Sequence, residues 1–177
     1  MKIDKRYKVE KVIGNDSTRD VLCNPYLSTR DGKGVMVATD GVRLACVPVE
    51  RDEQDKDGHV SVRALNEARR QAGRTGTPEV ICTEDTLTLL DGSTIPRKDQ
   101  GKYPKWEQVV PAVDGNWQKL TLDAKLLHEL ANAIGSSKVA LTFKCEGSQV
   151  LNPILVETGI ESADGRKPFG LLMPTRV

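Results

Sequence analysis

Only two stretches of this 177-residue chain carry the apolar period of a helix. Both are short, capped at each end and flanked by strand-like runs, which confines the chain to small sheets backed by single helices. In the first, Ser61 is the expected cap and Gly73 the expected stop, with Leu65, Ala68 and Ala72 on one face. Arg63, Asn66 and Arg70 point away from that face, and Arg74 follows its end. The second runs over Asp123–Ile134, with Leu126, Leu127, Leu130 and Ile134 on one face and Lys125, His128, Glu129 and Asn132 on the other; Gly135 ends it.

A short strand at His59 precedes the first helix, and strands are expected after it over Glu79–Thr83, Thr86–Leu90 and Ser93–Arg97. Around the second helix, strands are expected over Gln118–Leu122, Val139–Phe143, Ile154–Thr158 and Phe169–Met173. A helix-poor stretch comes first. Tyr7–Ile13 alternates, Gly34–Thr39 is β-branched, and Arg43–Val49 follows Asp40-Gly41, a dipeptide suited to a type I′ hairpin. Arg51–Gly58 reads as a charged loop and a boundary. The plan of strand, helix and strands thus occurs twice. VLCNPYL at Val21–Leu27 and VLNPIL at Val150–Leu155 hint at an internal repeat, although Asn-Pro also recurs simply as a turn starter.

Composition narrows the chemistry. A net charge of +1 with 29% charged residues argues against wholesale electrostatic capture of nucleic acid but leaves a local basic patch open. Apolar runs all stop well short of the ~20 residues of a membrane span. The N-terminal MKIDKRYKVEK has no apolar core of a signal peptide, so the expected location is the cytoplasm. Cys23, Cys46, Cys82 and Cys145 form no CxxC pair and read as small buried hydrophobes. His59 and His128 read as ordinary surface residues, and no metal site or cofactor is expected. Glu84-Asp85 falls in a turn, and Asp31-Gly32-Lys33-Gly34 lacks the strand-to-helix setting of a phosphate loop. No catalytic residue is assigned.

Three motifs then carry a resemblance. Val37–Ala45 reads VATDGVRLA, Tyr103–Pro111 reads YPKWEQVVP, and Leu171–Val177 reads LLMPTRV. In order and spacing they resemble VATDGHRLA, an FPDYRRVLP-like segment and the terminal VMPMRL of the β sliding clamp of bacterial DNA polymerase III. The resemblance implies an α+β, DNA-clamp-like fold of antiparallel sheets and two helices, roughly one and a half clamp domains. Its parts are a clamp-like domain over residues 1–111, with its first helix missing or short at Gly14–Asn24, and a C-terminal half-domain over 112–177. The first half of the clamp's last domain is absent, which puts ring formation in doubt.

It also implies a non-enzymatic docking protein of replication or repair. In the clamp these motifs meet in a pocket that receives short peptides of polymerases, loaders and repair factors. Carried over, that pocket uses Thr39, Gly41, Arg43 and Leu44 from the hairpin, Pro111 from the connector, and Leu171, Met173, Pro174, Thr175 and Arg176 from the tail. Val42 stands where the clamp has His. Leu, Met and Pro give a peptide's apolar side chains a place to desolvate, and arginine at the rim suits a carbonyl or carboxylate. The hairpin side chains are equally read as satisfying their own turn. A second implied surface, facing double-stranded DNA without reading sequence, is Arg63, Arg70, Arg74 and Lys125; a solvated helix face is the simpler reading. Two alternatives stay open: a non-ring relative acting as accessory or competitor, and a DNA-modifying enzyme. A ring would require homo-oligomerisation of several copies.

Overall fold

The β-branched run at 33–39 becomes a central strand because both of its faces are covered. The computed structural model describes residues 1–98, 100–111, 120–144, 153–159 and 168–175. The chain divides into two compact units, Met1–Val110 and Pro111–Val177. In the first unit β1 (Lys2–Ile3), β2 (Tyr26–Arg30), β3 (Lys33–Thr39), β4 (Leu44–Glu50) and β5 (Gly58–His59) form an antiparallel sheet in the order β1-β4-β3-β2-β5. Met36 and Ala38 of β3 enter one core with Ile3, Leu27 and Val60. Val35 and Val37 enter a second cluster with Leu22, Tyr103 and Trp106.

The helix α1 (Val62–Gln71) starts at Ser61, whose hydroxyl accepts from the Ala64 amide at 3.2 Å. Gly73 follows its end at φ +58°, a conformation that suits glycine. Ala64, Leu65 and Ala68 are fully buried against β6 (Val80–Cys82) and β7 (Thr86–Leu89), which form a three-stranded sheet with β8 (Thr94–Pro96). Burying Leu65 alone contributes about 2 kcal/mol. A short 3₁₀ segment, Ser17–Leu22, stands where the resemblance left a helix missing or short.

In the second unit α2 (Ala124–Ala133) is capped by Asp123, whose carboxylate accepts from the Lys125 and Leu126 amides at 2.8 and 3.3 Å. It packs on an antiparallel sheet of β9 (Val139–Thr142), β10 (Ile154–Thr158) and β11 (Phe169–Leu172), in the order β11-β10-β9. Ile154, Val156 and Leu172 form the core with Leu127, Leu130 and Ile134. Gly170 admits the Leu130 side chain; a Cβ there would meet Leu130 Cδ1 at 2.6 Å. Two helices and antiparallel sheets are thus the fold class expected from the sequence.

Several expectations change. Tyr7–Ile13 holds no strand but a 3₁₀ turn at Val9–Val12. Val9, Val12 and Ile13 lie at the i, i+3, i+4 spacing that a turn buries as readily as alternation buries a strand, and all three reach the core. Asp40-Gly41 is not a two-residue turn. Thr39 pairs with Leu44, leaving four loop residues, of which only Gly41 has positive φ. The two-residue hairpin is at Asp31-Gly32, where Arg30 pairs with Lys33 and both loop residues have positive φ, +52° and +72°. Leu120–Leu122 form no strand, and the rest of Gln118–Leu122 lies outside the described residues.

The loop at 51–58 is no boundary. Its Asp55 is buried, pairs with the Met1 amino group at 2.7 Å and accepts from the Cys82 amide at 2.8 Å. Cys82 is buried but Cys46 is exposed and Cys23 half-buried, while Cys145 lies outside the described residues. His59 is buried rather than at the surface, edge-on to Tyr26 and Tyr103. Leu126 is half-exposed, at the margin of a stripe centred on Leu127, Leu130 and Ile134.

Candidate functional site

The four-residue loop after β3 is built by its own polar groups. Asp40 Oδ1 accepts from the Val42 and Arg43 amides at 2.9 and 2.7 Å, and its Oδ2 accepts from Arg43 Nε and Nη2 at 3.0 and 2.7 Å. Thr39 Oγ1 donates to the Arg43 carbonyl at 2.6 Å and accepts from the Gly41 amide at 3.1 Å. The Arg43 amide, then its guanidinium, then the Val42 amide hold the Asp40 carboxyl far below the usual carboxylate range. Thr39 and Asp40 are therefore committed to the turn, and Arg43 reaches solvent as half of an ion pair. The loop's apex is apolar: Val42 is 91% exposed.

Beneath the loop, Leu44 joins the cluster of Leu22, Val35, Val37, Tyr103 and Trp106. The connector motif supplies the last two. Tyr103 stacks on Tyr26 with ring centroids 4.7 Å apart, and Trp106 lies under the Arg30 guanidinium at 5.7 Å. Burial pushes the Tyr103 phenol up to about 12. Beside this cluster, Thr18–Leu22 and Pro104 line a cleft of about 500 Å³. Arg19 ties the cleft to the loop: its Nη1 is 3.7 Å from where a Gly41 Cβ would lie. No feature of GNDSTRDVLCN singled these residues out, because the segment has no apolar stripe.

In the second unit β11 is the outermost strand of its sheet among the described residues. Leu172 turns inward, while Phe169, Leu171 and Met173 are left 63%, 61% and 59% exposed. Leu171 lies opposite Leu155 of β10, and Phe169 opposite Glu157. Pro174 is half-buried, and the Thr175 amide donates to the Thr121 carbonyl at 3.0 Å, fixing the strand's exit. Pro111 is exposed, and Arg176 lies outside the described residues. Phe169 was not foreseen as part of this stripe; its alternation with Leu171 was the available signal.

The basic candidates are dispersed. Arg70 is held by Glu67 through charge-assisted bonds, including two of 3.0 and 3.1 Å, and Lys125 pairs with Glu129 at 3.7 Å. Arg63 and Arg74 are exposed. Arg69, unremarked in the sequence, makes a half-buried bidentate pair with Glu10 at 2.8 and 2.9 Å. Glu84 and Asp85 both face solvent. Among the described residues no three His, Cys, Asp or Glu side chains stand close enough to hold a metal. Burial pushes the Cys82 thiol up to about 11, away from nucleophilic chemistry. Among the described residues no helix is long and apolar enough to cross a membrane.

Short antiparallel sheets backed by two capped helices, with an apolar connector sealing one sheet face, define the α+β fold class of DNA clamps. Solved bacterial clamps share it. The chain is similar to a Caulobacter crescentus β sliding clamp with TM-score 0.66 and 21% identity, covering 93% of this chain and 46% of that one. It is similar to a Bartonella birtlesii clamp bound to griselimycin, with TM-score 0.67 and 20% identity over 94% and 46%. The DNA polymerase III β subunit of Thermotoga maritima gives TM-score 0.64 and 17% identity over 98% and 49%. The chain therefore spans about half the length of the solved clamps it matches. No protein-family model and no curated protein matches the sequence.

Proposed function

We propose that this chain is a non-enzymatic, clamp-fold docking protein of DNA replication or repair that receives short apolar peptides from polymerase or repair proteins. The observation that carries the reading is the stripe of Phe169, Leu171 and Met173, left in solvent on and just after the outermost described strand of a clamp fold. Exposed large apolar side chains in a row mark an interaction surface more often than isolated ones do. On the first unit the clamp motifs offer a candidate surface of their own, Thr39, Gly41, Arg43 and Leu44 with the exposed Val42 apex and the cleft beside Leu22; on the second, Pro111, Pro174, Thr175 and Arg176 are carried over with the stripe.

The test is a titration of a labelled peptide of the Gln-Leu-…-Leu-Phe kind against the full chain, then against Leu171→Ser and Met173→Ala. Saturable binding by the wild type, weakened at least about tenfold by either exposed substitution, supports the reading. Its absence up to millimolar protein rejects it. Whether the chain also encircles DNA as an oligomer is decided by its solution mass; a stable monomer at micromolar concentration rejects the ring.

A further inference from the structure

We infer that Met173 is a site of reversible sulfoxidation, which switches the apolar stripe between a docking and a non-docking state. The inference rests on the docking reading of that stripe and adds its regulation. The chain holds three methionines, and they stand in opposite surroundings. Met1 and Met36 are sealed in the core of the first unit at 1% and 0% exposure, whereas Met173 is 59% exposed. An oxidant in solvent meets the Met173 side chain directly and meets the other two only when the unit opens.

Met173 is also placed where the product of that reaction matters. Positions 169, 171 and 173 alternate, so Phe169, Leu171 and Met173 form one row with the thioether at its end. The backbone on either side of position 173 is held. β11 precedes it, and after it Pro174 is half-buried and the Thr175 amide donates to the Thr121 carbonyl at 3.0 Å. The three side chains of the row offer no polar group to a sulfoxide oxygen at 173. When an apolar peptide covers the row, that oxygen loses its water without gaining a partner.

The chemistry balances with hydrogen peroxide as the oxidant. The thioether sulfur attacks one peroxide oxygen, the O–O bond breaks and an S–O bond forms. Sulfur gives up two electrons, and the second oxygen takes the remaining proton of the first and leaves as water. Two thiols reverse the step: the S–O bond breaks, the oxygen leaves as water with both thiol protons, and the thiols join as a disulfide. The chain's own thiols meet the oxidant poorly where they stay protonated. Burial raises the Cys46 pKa and pushes that of Cys82 up to about 11.

The experiment uses the full chain and Met173→Leu, each before and after treatment with hydrogen peroxide that is then removed, and the labelled Gln-Leu-…-Leu-Phe peptide made without methionine or cysteine. Mass spectrometry should find one added oxygen on Met173 at least about tenfold faster than on Met1 or Met36. The oxidised wild type should bind the peptide at least about tenfold more weakly than the untreated chain, with its melting temperature unchanged within about 2 °C. Methionine sulfoxide reductases, one for each epimer, should restore the Kd with a dithiol present, and the dithiol alone should not, which separates Met173 from the thiols. For Met173→Leu, measured against its own untreated Kd, peroxide should leave binding within about twofold. If that variant binds too weakly to measure, restoration by the reductases carries the decision. Oxidation of Met173 no faster than of Met36, binding unchanged by it, a loss that the dithiol alone repairs, a loss matched by a fall in melting temperature, or an equal loss in Met173→Leu overturns this inference alone. Absence of binding by the untreated wild type rejects the docking reading, and the inference falls with it.

Discussion

Replacing Leu22 by alanine should separate the architecture of the cleft from its binding chemistry. Leu22 is 7% exposed and packs with Val35, Val37, Tyr103 and Trp106, while its neighbours Thr18–Val21 line the cleft. Its carbonyl also accepts from the Gly14 amide at 2.9 Å, so the backbone around it is held independently of the side chain. A buried Leu→Ala change costs about 2–5 kcal/mol, set by how far the surroundings collapse. Leu22 lies beside an open cleft that allows partial collapse, which places the cost near about 2–3 kcal/mol. For a unit of this size, each kcal/mol lowers the melting temperature by roughly 4 °C, giving a drop of about 8–12 °C by calorimetry. The cleft also widens, so the docking peptide should bind more weakly even well below the new melting temperature. A drop under about 3 °C would refute the reasoning, because the 17–22 segment would then not be seated on the sheet through Leu22.

Three further outcomes follow from individual groups. The Asp40 carboxyl is held below its ordinary value of 3.8 in the folded chain, so its contribution to stability is present above that value and fades as pH falls through the lower folded one. Its titration by carboxyl-detected NMR should show a midpoint well under 3.8, and a midpoint at or above it would mean that the loop's hydrogen bonds are not made. Arg69→Ala leaves the half-buried Glu10 without its bidentate partner and should cost about 1–3 kcal/mol by urea denaturation, whereas Arg74→Ala, at an exposed position, should change stability by less than about 0.5 kcal/mol. Gly32→Ala meets no atom within 4 Å, so any loss comes from the positive φ alone, about 1–2 kcal/mol in the same assay.

The legible parts of this fold are those in which a local signal and its packing agree. Ser61 and Gly73, then Asp123 and Gly135, bracket the two helices in sequence and in structure, because caps act within a few residues. The illegible parts are those decided by partners distant in sequence. Two Asp-Gly pairs look alike, yet register makes Asp31-Gly32 the two-residue turn and lengthens the Asp40 loop to four residues. β1 holds two residues and exists through β4, where Ile3 lies opposite Val49, so composition could not announce it. His59 read as a surface residue because nothing in sequence brings Tyr26 and Tyr103 against it.

The site divides in the same way. The hairpin motif was readable, but only the folded loop shows that Asp40 already engages the Arg43 guanidinium and leaves Val42 as the apex. Met173 and Leu171 stood out as apolar residues near a Pro, whereas the cleft at Thr18–Leu22 is completed by Pro104 from a distant segment. Arg70 and Lys125, basic in sequence, are each answered by a carboxylate one turn away.

The central claim is that the exposed stripe of Phe169, Leu171 and Met173 receives a short apolar peptide. Backbone amide NMR during a peptide titration tests it most directly. The claim predicts that Phe169, Leu171 and Met173 shift together along one saturation curve with one Kd. Shifts that leave these three residues untouched, or the absence of any saturable shift, would contradict it.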